Sequence, residues 1–180
     1  YESVLVKREM PGAQWFVGAR VNYAEHILRH EGDDPEKVVV RHLSETRELA
    51  GMKWRELGDM TRKIATRLRA MGVVPGDRVV SYMPNIPETM AAMLAVTAVG
   101  AIWSSAAPEF GVGTVADRFS QIAPKVLFAA DGYRFAGKDF SRRKEVADIV
   151  DGLSSLEQVI WLDYLSDEGA PSFDGKSVTL

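Results

Sequence analysis

The residues best suited to phosphate chemistry form one stretch, "GYRFAGKD", which runs from Gly132 to Asp139. The stretch matches a Walker A loop at every defined position except the last, where Asp139 replaces the Ser or Thr that holds magnesium. Such a loop wraps phosphates in consecutive backbone N–H groups, and the bulky residues at 133–135 would crowd it. We place Asp139 instead at a helix start, where a carboxylate complements the helix dipole. A Walker-type ATP site is therefore not expected here.

Two cations within this stretch remain candidates for binding an anion. Arg134 and Lys138 lie four residues apart, and a basic run at 142–144 follows them. One interpretation is a phosphate-binding loop at the edge of a sheet. The other is a solvated basic face, balanced by the acidic residues between 145 and 151. On the residues alone, the solvated face is favoured.

A second candidate loop, "SSAAPEFGVG", spans residues 104–113 and combines small side chains with a Gly-x-Gly pattern. A lone Gly-x-Gly is weak evidence for a nucleotide site. Ser104 and Ser105 lack a G-x-S-x-G setting and an obvious base, so we do not expect either to act as a nucleophile. The small residues would allow close packing or a narrow passage for a ligand past the backbone.

A histidine pair is the one arrangement that suggests a metal. His26 and His30 lie four positions apart, a spacing that can hold a metal on one helix face. The pair lacks the glutamate of an H-E-x-x-H motif and a third nearby ligand. We expect a surface pair and no metal site.

Composition narrows the class of protein. The 180 residues are 46% hydrophobic and 26% charged, which is ordinary for a soluble globular chain. A net charge of -3, without a basic arm, argues against nucleic acid as a partner. The absence of cysteine excludes disulfides and thiolate chemistry and makes the cytoplasm the expected location. No signal peptide is expected, because the N-terminus "YESVLVKREMPG" has charges where a signal peptide needs its apolar stretch. No membrane span is expected, because Gly100 divides the apolar run from Met90 to Trp103.

Alternating apolar segments predict the fold. Short apolar strands are predicted at 78–82, 101–105, 125–130 and 158–162, and helices at 85–99, 113–122 and 140–153, the first of them capped by Asn85. This alternation predicts an α/β fold with a doubly wound, mainly parallel sheet flanked by helices. An N-terminal helix at 20–30, a β-hairpin formed by 37–43 and 47–54, and a helix from Trp54 to Met71 precede it, with Gly72 ending that helix.

The chain divides into two expected regions. Residues 1–35 form an N-terminal leader helix region, and residues 36–180 form an incomplete first α/β subdomain. The chain does not begin with methionine, and it ends at "SFDGKSVTL" without a helix stop. We therefore expect a piece of a longer protein.

Longer stretches carry a family resemblance. "WFVGARVNYAEHILRH" and "GDRVVSYMPNIPETMAAMLAVTAVGAIWSS" resemble the start of the adenylate-forming acyl-CoA synthetases of the acetyl- and acetoacetyl-CoA synthetase type. "APEFGVGTVADRFSQIAPKVLF" and "DGYRFAGKDF" are more similar to the acetoacetate-activating members than to the acetate-activating ones. The resemblance runs from Trp15 to about Tyr164 and implies the first part of such an enzyme's large N-terminal domain.

The resemblance implies an ATP-dependent acid-thiol ligase that joins acetoacetate to CoA. The carboxylate attacks the α-phosphate of ATP, with magnesium present, and the CoA thiol then displaces AMP from the acyl-adenylate. The ATP loop, the ribose-binding aspartate, the acyl pocket and the catalytic lysine of such enzymes lie beyond Leu180. We expect no catalytic or metal-binding residue here, an inactive isolated segment, and the rest of its adenylation domain as its partner. An acetate or propionate ligase remains an alternative, as does a non-catalytic module that binds a nucleotide or a partner protein.

The resemblance also implies one binding element within the segment. Arg134 and Lys138 would contact the phosphates of the CoA nucleotide. Pro108, Glu109 and Phe110 would border the path of the pantetheine arm. These five residues are the expected CoA-binding set.

Overall fold

A parallel β-sheet forms the centre of the structure, a computed structural model that describes residues 1–173 and 176–179. Its strands are β5 (Arg78–Tyr82), β6 (Ile102–Ala106), β7 (Val126–Ala130), β10 (Gln158–Leu162) and β11 (Ser177–Thr179). The helices are α1 (Tyr23–Leu28), α2 (Trp54–Ala70), α3 (Pro87–Ala98), α4 (Val112–Ser120) and α5 (Arg143–Gly152), and a 3-10 turn, Arg29–Glu31, follows α1. Three antiparallel hairpins complete the fold: β1–β2 (Ser3–Lys7, Gln14–Val17), β3–β4 (Val38–His42, Ala50–Lys53) and β8–β9 (Gly132–Phe135, Lys138–Ser141).

The strand order of the sheet is β11-β10-β7-β5-β6, and every neighbouring pair is parallel. The chain passes from β5 to β6 on one side and then crosses back to β7 on the other. The order therefore reverses between β5 and β7, and in open α/β sheets a ligand-binding crevice forms at the carboxyl ends of the strands beside such a point.

Two hydrophobic cores cover the two faces of this sheet. Val79 and Val80 are adjacent and fully buried, yet they belong to different cores because successive side chains of a strand point to opposite faces. Buried residues of α2 and α3 pack on the face of Val79, and those of α4 and α5 pack on the face of Val80. This arrangement confirms the predicted doubly wound α/β fold.

The helix predicted from Trp54 has the expected ends. The Glu56 carboxylate accepts a hydrogen bond of 2.7 Å from the backbone N–H of Lys53, one half of a capping box. At the other end Gly72 has a φ of 76°, and the N–H of Val73 donates to the carbonyl of Leu68 at 3.0 Å. Together these two features form a Schellman motif, in which the residue after the C-cap, here Gly72, adopts a positive φ and the helix ends.

Two helix starts differ from the prediction, and one hairpin was missed. Helix α3 begins at Pro87 with Ile86 as its cap, so Asn85 is not the cap; proline is already shaped for the first helical position. Helix α5 begins at Arg143 rather than Phe140, because residues up to Ser141 belong to the β8–β9 hairpin. The hairpin β1–β2 was not predicted from the sequence at all.

The described residues carry no sign of a metal centre or a membrane span. No group of three or more metal-ligating side chains is found within residues 1–173 and 176–179. Over the same part of the chain, no helix is both long enough and apolar enough to cross a bilayer. His26 lies against Arg29, and Nδ1 of His30 lies 3.2 Å from the Asp33 carboxylate, so the two histidines have separate neighbours.

Candidate functional site

A crevice of about 230 Å³ lies at the carboxyl ends of the central strands, where the strand order reverses. Loops after β5, β6 and β10, the hairpin β8–β9 and the β3–β4 connection form its walls. It is lined by Ser44, Pro84, Asn85, Ile86, Ala107, Pro108, Glu109, Tyr133, Arg134, Phe135 and Tyr164. This is the position where an open α/β sheet binds its ligands.

The loop after β6 is fixed at the carbonyl oxygen of Pro108. The buried Tyr82 hydroxyl lies 2.8 Å from this oxygen and 2.8 Å from the carbonyl oxygen of Phe110, so it is positioned to donate to either. Nε of Arg142 donates to the Pro108 oxygen as well, at 2.7 Å. Burial raises the pKa of Tyr82 to about 12, and the hydroxyl therefore stays a neutral donor at neutral pH.

The stretch "GYRFAGKD" forms a β-hairpin rather than a phosphate loop leading into a helix. Ala136 and Gly137 form its turn with φ values of 51° and 73°, the positive angles that a two-residue hairpin turn requires. The rings of Tyr133 and Phe140 stack across the strands with their centroids 5.2 Å apart. Cross-strand aromatic pairs of this kind stabilise a short hairpin.

Asp139 does not begin a helix, as the sequence analysis expected, but pairs with Arg134 across the hairpin. Its carboxylate accepts hydrogen bonds from Nε of Arg134 at 2.5 Å and from a terminal guanidinium nitrogen at 3.1 Å. These hydrogen bonds lower the pKa of Asp139 and raise that of Arg134. The Asp139 carboxylate, which departs from the Walker pattern, therefore holds the Arg134 guanidinium in one orientation.

The crevice brings together three of the five residues that the sequence analysis named for CoA. Pro108, Glu109 and Arg134 line it. Phe110 lies outside the lining set, with the Arg118 guanidinium 5.1 Å from the centre of its ring. Lys138 also lies outside; its side chain is exposed and forms no ion pair among the residues that the structure describes.

Asp131, the residue that follows β7, organises the crevice but was not identified from the sequence. It is 1% exposed. One carboxylate oxygen accepts from the backbone N–H groups of Tyr164 and Leu165, both at 2.8 Å. The other accepts from the N–H of Ser166 at 2.7 Å and from its hydroxyl at 3.1 Å. A lone aspartate directly after a buried apolar strand was the available signal.

The β3–β4 connection closes another side of the crevice, and the sequence analysis missed its residues as well. The Tyr164 hydroxyl donates to the hydroxyl of Ser44 at 2.7 Å. The guanidinium of Arg47 lies 4.6 Å from the centre of the Tyr164 ring and donates to the Glu88 carboxylate at 2.8 Å. Arg47 thus links this connection to the start of α3, where Glu88 lies.

Comparison with known proteins decides the family. Residues 29–178 match the family model described as "AMP-binding enzyme". The chain belongs to the AMP-binding enzyme family. Membership confirms the resemblance that the sequence analysis stated.

Individual members of the AMP-binding enzyme family are similar over nearly the whole chain. An acetoacetyl-CoA synthetase of Macaca fascicularis is 41% identical over 153 residues, which is 85% of this chain and 23% of that protein. One of Rhizobium meliloti is 39% identical over 173 residues, covering 95% of this chain and 26% of that protein. The solved structure of acetoacetyl-CoA synthetase from Streptomyces lividans superimposes with a TM-score of 0.92 and 46% identity, over 99% of this chain and 27% of that one. The chain spans about a quarter of the length of these relatives.

Proposed function

We propose that the chain is the N-terminal segment of an AMP-forming acetoacetate–CoA ligase. The observation that carries this proposal is the likeness to the Streptomyces lividans enzyme, which joins 46% identity to a TM-score of 0.92 over 99% of the chain. The complete ligase would adenylate acetoacetate with ATP and transfer the acyl group from AMP to the thiol of CoA. We assign the groups that bind ATP and magnesium, and the catalytic groups, to the part of the ligase beyond this segment.

The contribution of this segment would be to bind CoA during the second step. Arg134 projects from the hairpin at the crevice wall, and Lys138 follows the turn of the same hairpin. A guanidinium and an ammonium there suit the phosphate groups of a nucleotide, because charge-assisted hydrogen bonds are the strongest that a side chain makes. Asp139 would keep the Arg134 guanidinium oriented through Nε, leaving its other N–H groups for phosphate.

The loop after β6 would border the pantetheine arm. Pro108 and Glu109 line the crevice beside Arg134, so a ligand held by the cation would run along this loop. Phe110 lies just beyond and would extend the apolar border. Tyr82 and Arg142 hold the Pro108 carbonyl from two directions, which would keep the path at a constant width.

The remaining expectations follow from this function. The partners would be acetoacetate, CoA and the rest of the segment's own adenylation domain, rather than a nucleic acid or a membrane. The substrates are small and water-soluble, which fits the cytoplasm and agrees with the absence of cysteine.

Replacing Arg134 in the full-length enzyme tests the assignment. Arg134→Ala should raise the KM for CoA by roughly 10- to 100-fold, since a hydrogen bond to a charged group contributes about 1.5 to 3 kcal/mol. ATP–pyrophosphate exchange driven by acetoacetate should stay unchanged. Arg55→Ala is the matched control, because Arg55 is an exposed arginine of α2 that pairs with the Glu36 carboxylate and lies outside the crevice lining.

Two further comparisons make this experiment decisive. The variant leaves Asp139 unpaired, so the double variant Arg134→Ala/Asp139→Ala should remain as impaired as the single one; recovery would attribute the loss to repulsion by Asp139. An equal loss of both half-reactions would contradict the CoA assignment. A higher kcat/KM for acetate or propionate than for acetoacetate would show that the proposed acyl substrate is wrong. The proposed AMP-forming ligase reaction would still stand.

A further inference from the structure

The tip of the hairpin β8–β9 is held by a residue from a distant part of the chain. The carboxylate of Glu45 accepts one hydrogen bond from the backbone N–H of Ala136 and one from that of Gly137, each at 2.7 Å. Each carboxylate oxygen takes one donor, so the contact is bidentate. Because both turn residues have positive φ, their N–H groups converge on one point, and an anion there satisfies both.

Glu45 is itself held in an ordered turn between β3 and β4. The Ser44 N–H donates to the carbonyl of Arg47 at 3.0 Å, and the hydroxyls of Ser44 and Thr46 lie 3.1 Å apart. The same Ser44 hydroxyl accepts the hydrogen bond from Tyr164. The turn that presents Glu45 is thus hydrogen-bonded to the loop that Asp131 organises.

We propose that Glu45 is a positioning residue for CoA binding, which fixes the hairpin tip so that Arg134 and Lys138 face the nucleotide together. The proposal rests on the proposed function. Arg134 lies two positions before the turn and Lys138 directly after it, so a shift of the tip moves both cations. The Tyr133–Phe140 stack holds the base of the hairpin, whereas Glu45 supplies the side-chain contact to its two turn amides.

The geometry allows an opposite role, which the experiment separates. Two converging N–H groups also suit a phosphate, and a carboxylate placed on them would then compete with the ligand. Removing a positioning residue weakens CoA binding. Removing a competing anion strengthens it.

The variants are Glu45→Ala, which removes both acceptors, and Glu45→Gln, which keeps one carbonyl oxygen and replaces the other acceptor with an amide that can only donate. Glu48→Ala is the matched control, because Glu48 is an exposed glutamate of the same connection with no hydrogen bond or ion pair among the described residues. All three are made in the full-length enzyme. The readouts are amide hydrogen exchange of the 133–139 segment and the KM for CoA, measured beside ATP–pyrophosphate exchange.

We expect faster exchange at Ala136 and Gly137 in Glu45→Ala, with a rise of roughly three- to tenfold in the KM for CoA. Glu45→Gln should lie between Glu45→Ala and the wild type, Glu48→Ala should match the wild type, and adenylation should be unaffected in all of them. Unchanged exchange at the tip, an unchanged KM, or a KM lowered by Glu45→Ala would each overturn the proposal. Hydrogen exchange needs no CoA, so the contact is tested even if Arg134→Ala shows that CoA binds elsewhere.

Discussion

The hydroxyl of Tyr82 lies 2.8 Å from the carbonyl oxygen of Pro108 and joins the end of β5 to the loop that follows β6. Arg142, which precedes α5, donates to the same oxygen at 2.7 Å. One carbonyl oxygen therefore fixes three parts of the crevice relative to each other. The crevice is shaped by buried polar contacts beneath its surface as well as by the residues that line it.

Tyr82→Phe should lower the free energy of unfolding of the full-length enzyme by about 1 kcal/mol at pH 8. The cost is modest because Arg142 still satisfies the Pro108 carbonyl. Thermal or denaturant unfolding measures it, and Tyr23→Phe is the control, since Tyr23 is an exposed tyrosine that forms no hydrogen bond through its hydroxyl within the described part of the chain.

The difference in the free energy of unfolding between the wild type and Tyr82→Phe should depend on pH. Burial raises the pKa of Tyr82 from 10.0 to about 12, so the stabilisation is complete below pH 10 and is lost as the pH rises towards 12. Two pKa units correspond to about 3 kcal/mol, which exceeds the cost of removing the hydroxyl. The variant should thus become the more stable protein at the alkaline end. A gap that stays constant from pH 8 to 12 would show that the hydroxyl is not buried in the folded enzyme.

Asp131→Asn should destabilise the enzyme by about 2 to 4 kcal/mol. The asparagine keeps one acceptor oxygen but turns an NH₂ group towards donors, either the two N–H groups of Tyr164 and Leu165 or the N–H and hydroxyl of Ser166. Thermal unfolding of the full-length enzyme measures the loss. Asp167→Asn, an exposed carboxyl in the same loop, should cost under 0.5 kcal/mol. Equal effects of the two substitutions would mean that the buried carboxylate does not hold the loop.

The sheet could be predicted from the sequence because its strands before residue 163 are short local segments rich in apolar residues. The run Val126–Ala130 is buried at every position, and such runs between helices are typical of a parallel sheet. The hairpin β8–β9 could not be predicted in the same way. Its turn contains Ala136 at a φ of 51°, and alanine gives no signal for that conformation.

The contacts that shape the candidate site are non-local, which is why the sequence did not reveal them. Glu45 reaches backbone groups 91 and 92 residues away, and Tyr164 reaches Ser44 across 120 residues. Neither pair has a spacing that marks it along the chain. Arg134 was identified because a cation in a loop is a recognisable signal by itself. Its partner Asp139 was assigned to a helix start, although the helix begins four residues later.

Three glycines provide the last prediction, which tests how closely the hairpin packs. A Cβ at Gly132 would overlap the carbonyl oxygen of Phe140 and would come within 2.9 Å of the Leu165 side chain. Gly132→Ala should push both β9 and the loop at 165 away from β8, and should lower the free energy of unfolding by about 2 to 3 kcal/mol. Gly137→Ala has open space, so only its positive φ of 73° opposes the side chain, at about 1 kcal/mol.

The control for both is Gly113→Ala, which lies in α4 with open space and no positive φ, and which should be neutral or stabilising by up to about 1 kcal/mol. Thermal unfolding of the three full-length variants should therefore rank Gly132→Ala as the least stable, then Gly137→Ala, then Gly113→Ala. Gly132→Ala should also raise the KM for CoA, because the strand that moves begins with Lys138 and contains the partner of Arg134. If Gly132→Ala unfolds at the same temperature as Gly113→Ala, then β8, β9 and the loop at 165 do not approach one another as closely as the structure places them.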